Sequence, residues 1–111
     1  MHIICDKYEL LELFQCEPNV IDEDAEIYVY TSINKNGFKF ELYLSIYDMN
    51  ASITLYHNEL TVPIFDIGVS DVRKIEAFAN KLSIYSSEDD NPIAVIFFES
   101  NFRLELNSLN H

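Results

Sequence analysis

Glycine is nearly absent from this chain: only Gly37 and Gly68 occur in 111 residues. That is too few for the glycine-rich loops that cradle phosphates, so P-loops and related motifs are excluded. Basic residues are scarce too. Seven Lys and Arg stand against 19 Asp and Glu, for a formal net charge of −12. Contact with nucleic-acid phosphates needs clustered Lys and Arg, as does adsorption to an anionic membrane, so both are excluded as direct partners. Long apolar runs are missing as well. Nothing approaches the roughly 18 residues of a membrane span. The run Ile3-Ile4-Cys5 is far short of a signal-peptide core, so the expected compartment is the cytoplasm.

Reactive side chains are equally thin. Cys5 and Cys16 form no Cys-x-x-Cys pair and have no metal-ligand spacing, so they read as reduced, inert thiols. His2, His57 and His111 are the only histidines. His57 falls at an expected hairpin turn with Asp48 and Glu59 nearby in sequence, but no nucleophile has a matching position. Two acidic clusters stand out, Asp22-Glu23-Asp24-x-Glu26 and Glu88-Asp89-Asp90-Asn91. Neither has the spacing, central Gly and terminal Glu of an EF-hand. No catalytic role, metal site or cofactor is expected.

Against these gaps, hydrophobic residues make up 49% and aromatic residues 14%. That is enough to fold despite the charge, and the length suits a single domain over residues 1–111. Asp6 is placed to cap a helix over Lys7–Gln15, with Tyr8, Leu11 and Phe14 recurring every third position. Pro18 ends it, and residues 19–24 read as a polar, acidic loop. The period then changes to 2. Ile27, Val29 and Ile33, then Phe38, Phe40, Leu42, Leu44 and Ile46, form one aliphatic face if Asn36-Gly37 is a two-residue turn. Turns near Met49-Asn50 and Asn58-Glu59 continue an antiparallel meander, and Pro63 marks an edge or a bulge. Residues 70–82 fit either a helix or a strand pair turning at Ala79-Asn80. The strand pair is preferred because it aligns Ile75 with Ile84 and continues the meander. Ile93–Phe98 reads as a strand buried on both faces, followed by a turn at Asn101 and a strand through Leu106. The expected class is α+β, β-dominated: an N-terminal helix packed on an antiparallel meander sheet of about six to eight strands.

These registers place Tyr30 opposite Tyr43 and Tyr43 opposite Tyr56, with Tyr28 and Tyr47 flanking. Such a row is either a set of cross-strand pairs buried under other elements or an exposed aromatic platform for a partner. From Glu9 through Glu26 the chain has acids and no base. Acid excess alone serves solubility, but here it runs into Glu26, Tyr28 and Tyr30. Acids that speed encounter beside aromatics that slow release suit capture of a basic protein.

Small, strongly acidic, single-domain chains with a β-rich meander resemble bacterial immunity proteins, including those of contact-dependent growth inhibition and other polymorphic toxin systems. The resemblance runs through Asp22-Glu23-Asp24-Ala25-Glu26, Asn91-Pro92-Ile93 and Asn101-Phe102-Arg103-Leu104-Glu105-Leu106. It implies a non-enzymatic inhibitor that occludes a basic toxin domain, often a nuclease. A dimeric chaperone or adaptor for an exported protein is the rival reading. The expected contact residues are Asp22, Glu23, Asp24, Glu26, Tyr28 and Tyr30, then Tyr43 and Tyr56, and a second acidic patch at Glu88, Asp89 and Asp90.

Overall fold

In the computed structural model, which describes residues 1–86, 90–99 and 101–107, Asp6 starts the helix α1 (Lys7–Phe14). Its carboxylate accepts from the N–H groups of Tyr8 and Glu9, satisfying two donors that have no partner within the helix. Gln15 closes α1 in a left-handed conformation, its N–H donating to Leu11 O. Residues 19–22, expected as loop, instead form a short exposed strand, β2 (Asn19–Asp22), paired with β3 (Ile27–Ile33). Every β2 residue is exposed, so it carries no burial pattern by which alternation could announce it.

Strands β2 to β6 make one five-stranded antiparallel sheet in sequence order, with β4 (Phe38–Ser45), β5 (Asn50–His57) and β6 (Phe65–Val69). The β3–β4 register differs by one residue from that expected. Tyr28 pairs with Leu44, Tyr30 with Leu42 and Val29 with Tyr43. The cause is the turn. Asn34 N–H donates to Phe38 O, which leaves Lys35-Asn36-Gly37 as a three-residue connection with Gly37 at φ 91. A one-residue slip moves a whole strand to the other face. Tyr28 and Tyr30 therefore point into the core, while Ile27, Val29 and Ile33 lie on the outer face. The later hairpins shift as well: Leu42 meets Ile53, Tyr43 meets Ser52, and Ile53 meets Ile67. The tyrosine row consequently does not form. Pro63 lies in the connection before β6, which is an edge strand.

Gly37 is held by space as well as by φ. A Cβ there would sit 2.8 Å from the Asn58 side chain. Gly37→Ala is expected to cost about 1–2 kcal/mol, since it combines a left-handed alanine with a clash. Urea denaturation would show a lower midpoint at unchanged slope.

The second five-stranded sheet has the order β1-β7-β8-β9-β10. It comprises β1 (Ile4–Cys5), β7 (Val72–Phe78), β8 (Lys81–Ser86), β9 (Ala94–Phe98) and β10 (Phe102–Leu106). The preferred strand pair is present as expected: Ile75 pairs with Ile84 and Ala77 with Leu82. Ala79 and Asn80 adopt φ of 51 and 63 between them, as a two-residue hairpin turn requires. The α+β, β-dominated class holds, with ten strands among the described residues divided between two sheets. β1 pairs in parallel with β7, so the chain begins in one sheet, builds the other and returns.

The sheets pack face to face on Leu42, Leu44, Ile53, Ile75, Ile84 and Ile96, all essentially inaccessible. Each such side chain is worth about 1.5–3 kcal/mol. Phe14, from α1, is inserted between the sheets. Its ring lies 5.3 Å from Tyr30 and 5.2 Å from Phe98. The N-terminal segment also bridges them: Ile3 N–H donates to Ile46 O while Ile4 and Cys5 pair with β7. Among the described residues, no helix is long and apolar enough to cross a membrane.

Candidate partner-binding surface

Antiparallel pairing decides which connections share an end of the molecule. Ile27 pairs with Ser45 and Ser45 with Asn50, while Ala51 pairs with Val69. The β2–β3 turn, the β4–β5 turn and the β6–β7 connection therefore lie together. Val72 N–H donates to Met49 O, and Val72 pairs with Ser86. The β8–β9 connection, which contains the exposed Asp90, thus leaves the other sheet at this same end. The first acidic cluster and Asp90 of the second, far apart in sequence, lie at one end. Glu88 and Asp89 of the second cluster lie outside the described residues.

The first cluster is a built turn. Asp22 Oδ1 accepts from Ala25 N–H at 3.0 Å, and Glu26 N–H donates to Glu23 O at 3.2 Å. Glu26 takes a φ of 54, and its carbonyl accepts from Ile46 N–H on the neighbouring turn. Glu23 and Asp24 are exposed, and no ion pair among the described residues reaches either. Asp48 and Asp71, which sequence reasoning left out of the site, join them. Asp48 is fixed by Ser45 Oγ at 2.9 Å. Both follow from the meander rule that alternate turns share an end; correct strand count and direction would have found them. Among the described residues, no three carboxylate, His or Cys groups converge to hold a metal ion.

Glu26 itself is occupied. Its Oε1 accepts from Lys7 Nζ at 2.9 Å and from Tyr28 OH at 2.7 Å. These hydrogen bonds, together with one from Tyr47, hold its carboxyl below the ordinary range. The Glu26 and Tyr28 partners raise the Lys7 ammonium above its own. The network ties the first turn of α1 to the acidic turn. The Glu26 contribution is fully present above its ordinary value of 4.5 and is lost as pH falls through its lowered folded value. The Lys7 contribution is present below 10.5 and is lost only as pH rises through its raised folded value. Because Lys7 is half exposed, the total is small, below about 1 kcal/mol. Glu26→Gln is expected to flatten the acid side of a stability–pH curve below about pH 4.5, measured by urea unfolding at successive pH values.

The tyrosines divide by face. Tyr30 is 2% exposed, and desolvation pushes its hydroxyl up to about 12. Tyr28 is buried apart from the edge that reaches Lys7 and Glu26. Tyr43, at 37% exposure, lies on the outer face between Val29 and Ser52, and Tyr47, at 56%, stands on the acidic end. Tyr56 is on the same outer face but at the far end, with Lys39 Nζ 4.6 Å over its ring. Both thiols are free: Cys5 is half-buried and pushed up by that burial, and Cys16 donates to Thr31 O. His57 ties two loops, with Nε2 donating to Asn36 O and Nδ1 accepting from Glu59 N–H. Both ring nitrogens are thus spent on backbone groups.

No protein-family model matches the chain, and no curated protein matches it by sequence. Its fold is shared with a chain in a solved structure, a contact-dependent growth inhibition toxin–immunity protein complex from Klebsiella pneumoniae 342. The TM-score is 0.69 at 16% sequence identity, over 92% of each chain.

Proposed function

We propose that this chain is an immunity protein that binds a cognate, basic toxin domain and occludes its active site without catalysing anything itself. The observation that carries the reading is the acidic end, where the Asp22–Glu26 turn, Asp48, Asp71 and Asp90 lie beside Tyr43 and Tyr47, on a fold shared with a chain of a toxin–immunity complex. Asp22, Glu23, Asp24, Asp48 and Asp90 steer the partner in, and Glu88 and Asp89 stand in the same connection as Asp90. Tyr43 and Tyr47 supply contact area with few rotatable bonds. Glu26 and Tyr28 brace the turn from beneath through Lys7. Tyr30 contributes from the core, and Tyr56 lies outside the contact area. A nuclease is the favoured partner class, because an enzyme that holds phosphates presents the positive field that an acidic surface fits.

The test is protection. If a toxin domain is encoded beside this gene, that domain should arrest growth when expressed alone. Co-expression of this chain should restore growth, and the two should co-purify at equal stoichiometry. A toxin domain that arrests growth equally with or without the chain, and does not co-purify with it, would refute the reading.

A further inference from the structure

The two glycines of the chain are not alike. Gly37 is required by its positive φ and by the Asn58 side chain against it. Gly68 is required by neither. It lies in the edge strand β6 without a positive φ, and a Cβ built on it would meet nothing within 4 Å. Glycine inside a strand costs backbone entropy and offers its neighbours nothing to pack on. A β-branched or aromatic residue would suit this backbone better. What glycine leaves here is room for another molecule to approach the strand closely.

That room has defined walls. Tyr43 pairs with Ser52 and Ser52 with Gly68, so the three stand in one row across β4, β5 and β6 on the outer face. Over the two small residues is a hollow of about 360 Å³, lined also by Asn50 and Ser70. The exposed Tyr43 ring forms one wall. The hydroxyls of Ser52 and Ser70 and the Asn50 side-chain carbonyl are acceptors at its floor and rim. Asp66 stands on the same face of β6, about 7 Å from Gly68, where its carboxylate accepts from Thr54 Oγ1 at 3.1 Å. In the other direction the chain runs through Ser70 to the exposed Asp71, at the acidic end that also carries Asp48. Acids therefore flank the hollow on two sides. Lys39 is the only Lys or Arg on strands β2 to β6. It lies two rows away, held by Glu41 at 3.6 Å over the Tyr56 ring.

We infer that this hollow seats an arginine side chain of the basic partner, laid over Gly68 with its guanidinium against the Tyr43 ring. The flanking acids select a cation. The flat aromatic wall selects a planar one, because a guanidinium stacks on a ring face where an ammonium acts as a point charge. Its five N–H donors suit a floor of hydroxyl and carbonyl acceptors with a carboxylate within reach. This rests on the toxin-binding reading above and sharpens it: the acidic turns draw the partner in, and the hollow fixes where it sits.

Gly68→Leu in the full chain tests it. The substitution fills the hollow and alters no acid and no tyrosine. The melting temperature should hold or rise, because leucine enters open space on an extended backbone. The toxin domain of the protection test should dissociate about tenfold faster or more, with its association rate nearly unchanged, since net charge is the same. Gly68→Ala should fall between wild type and Gly68→Leu. A second measurement needs no toxin. N-acetylarginine amide, titrated and followed by amide NMR shifts, should move the Ser52 signal of the wild type and not that of Gly68→Leu, and N-acetyllysine amide should move it less. Equal toxin binding by wild type and Gly68→Leu overturns this inference and leaves the toxin-binding reading standing. A wild-type chain that binds no toxin domain refutes that reading, and the arginine titration then decides the hollow. Shifts scattered over the acidic end, or equal for the two amides, overturn the assignment.

Discussion

Phe14→Ala should lower the melting temperature by roughly 15 °C, the largest loss expected from any single substitution in α1. Phe14 is 4% exposed and stands where helix and both sheets meet. Its ring contacts Tyr30 and Phe40 on one sheet and Phe98 on the other, at 5.3, 6.3 and 5.2 Å. Removing it takes away the transfer energy of a large aromatic and leaves a cavity that two rigid sheets cannot close. Phe→Ala changes at such sites cost about 3–5 kcal/mol, and each kcal/mol moves the midpoint of a domain this size by about 4–6 °C. Tyr8→Ala is the control. Tyr8 lies on the same helix but is 83% exposed, and its removal should leave the midpoint within about 2 °C. Equal losses from the two variants would mean that insertion of Phe14 between the sheets is not what anchors α1.

Reversing the acidic turn should slow association with a basic partner about 10- to 100-fold at low salt. The variant to use is Glu23→Lys with Asp24→Lys and Asp22→Asn. Asparagine keeps the oxygen that accepts from Ala25 N–H, so the turn is preserved while net charge moves from −12 to −7. Glu23 and Asp24 carry no ion pair among the described residues, so the melting temperature should hold. The difference in association rate should shrink as salt rises, because screening removes the steering that the acids supply. Dissociation should change much less. Association rates equal to wild type at low salt would exclude this turn from the docking surface.

Much of the architecture was legible in the sequence, and the errors share one source. The Ala79-Asn80 hairpin was placed correctly because its two residues form the whole turn and Ile75 and Ile84 tolerate no other register. The β3–β4 hairpin was displaced by one residue because Asn36-Gly37 fits two turn geometries, and Gly37 serves the three-residue form. Both candidate faces of β3 are apolar enough to pass. Ile27 and Val29 alternate with Tyr28 and Tyr30, and the larger aromatic area is the one that is buried. The acids stand as clusters in the sequence itself. That Asp90 shares an end with the Asp22–Glu26 turn follows from Val72 N–H reaching Met49 O, a link between the sheets that no local pattern announces, and β7 in turn pairs with the N-terminal strand.

That return pairing has a consequence for how the protein is made. Ile4 pairs with Lys74, which is synthesised only after the whole β2–β6 sheet. The meander sheet is built from local hairpins and can collapse early. The other sheet gains its edge strand β1 only if Ile4 and Cys5 are still free when β7 forms. Non-local pairing of this kind is slow, so the N-terminal strap should be the last piece to lock.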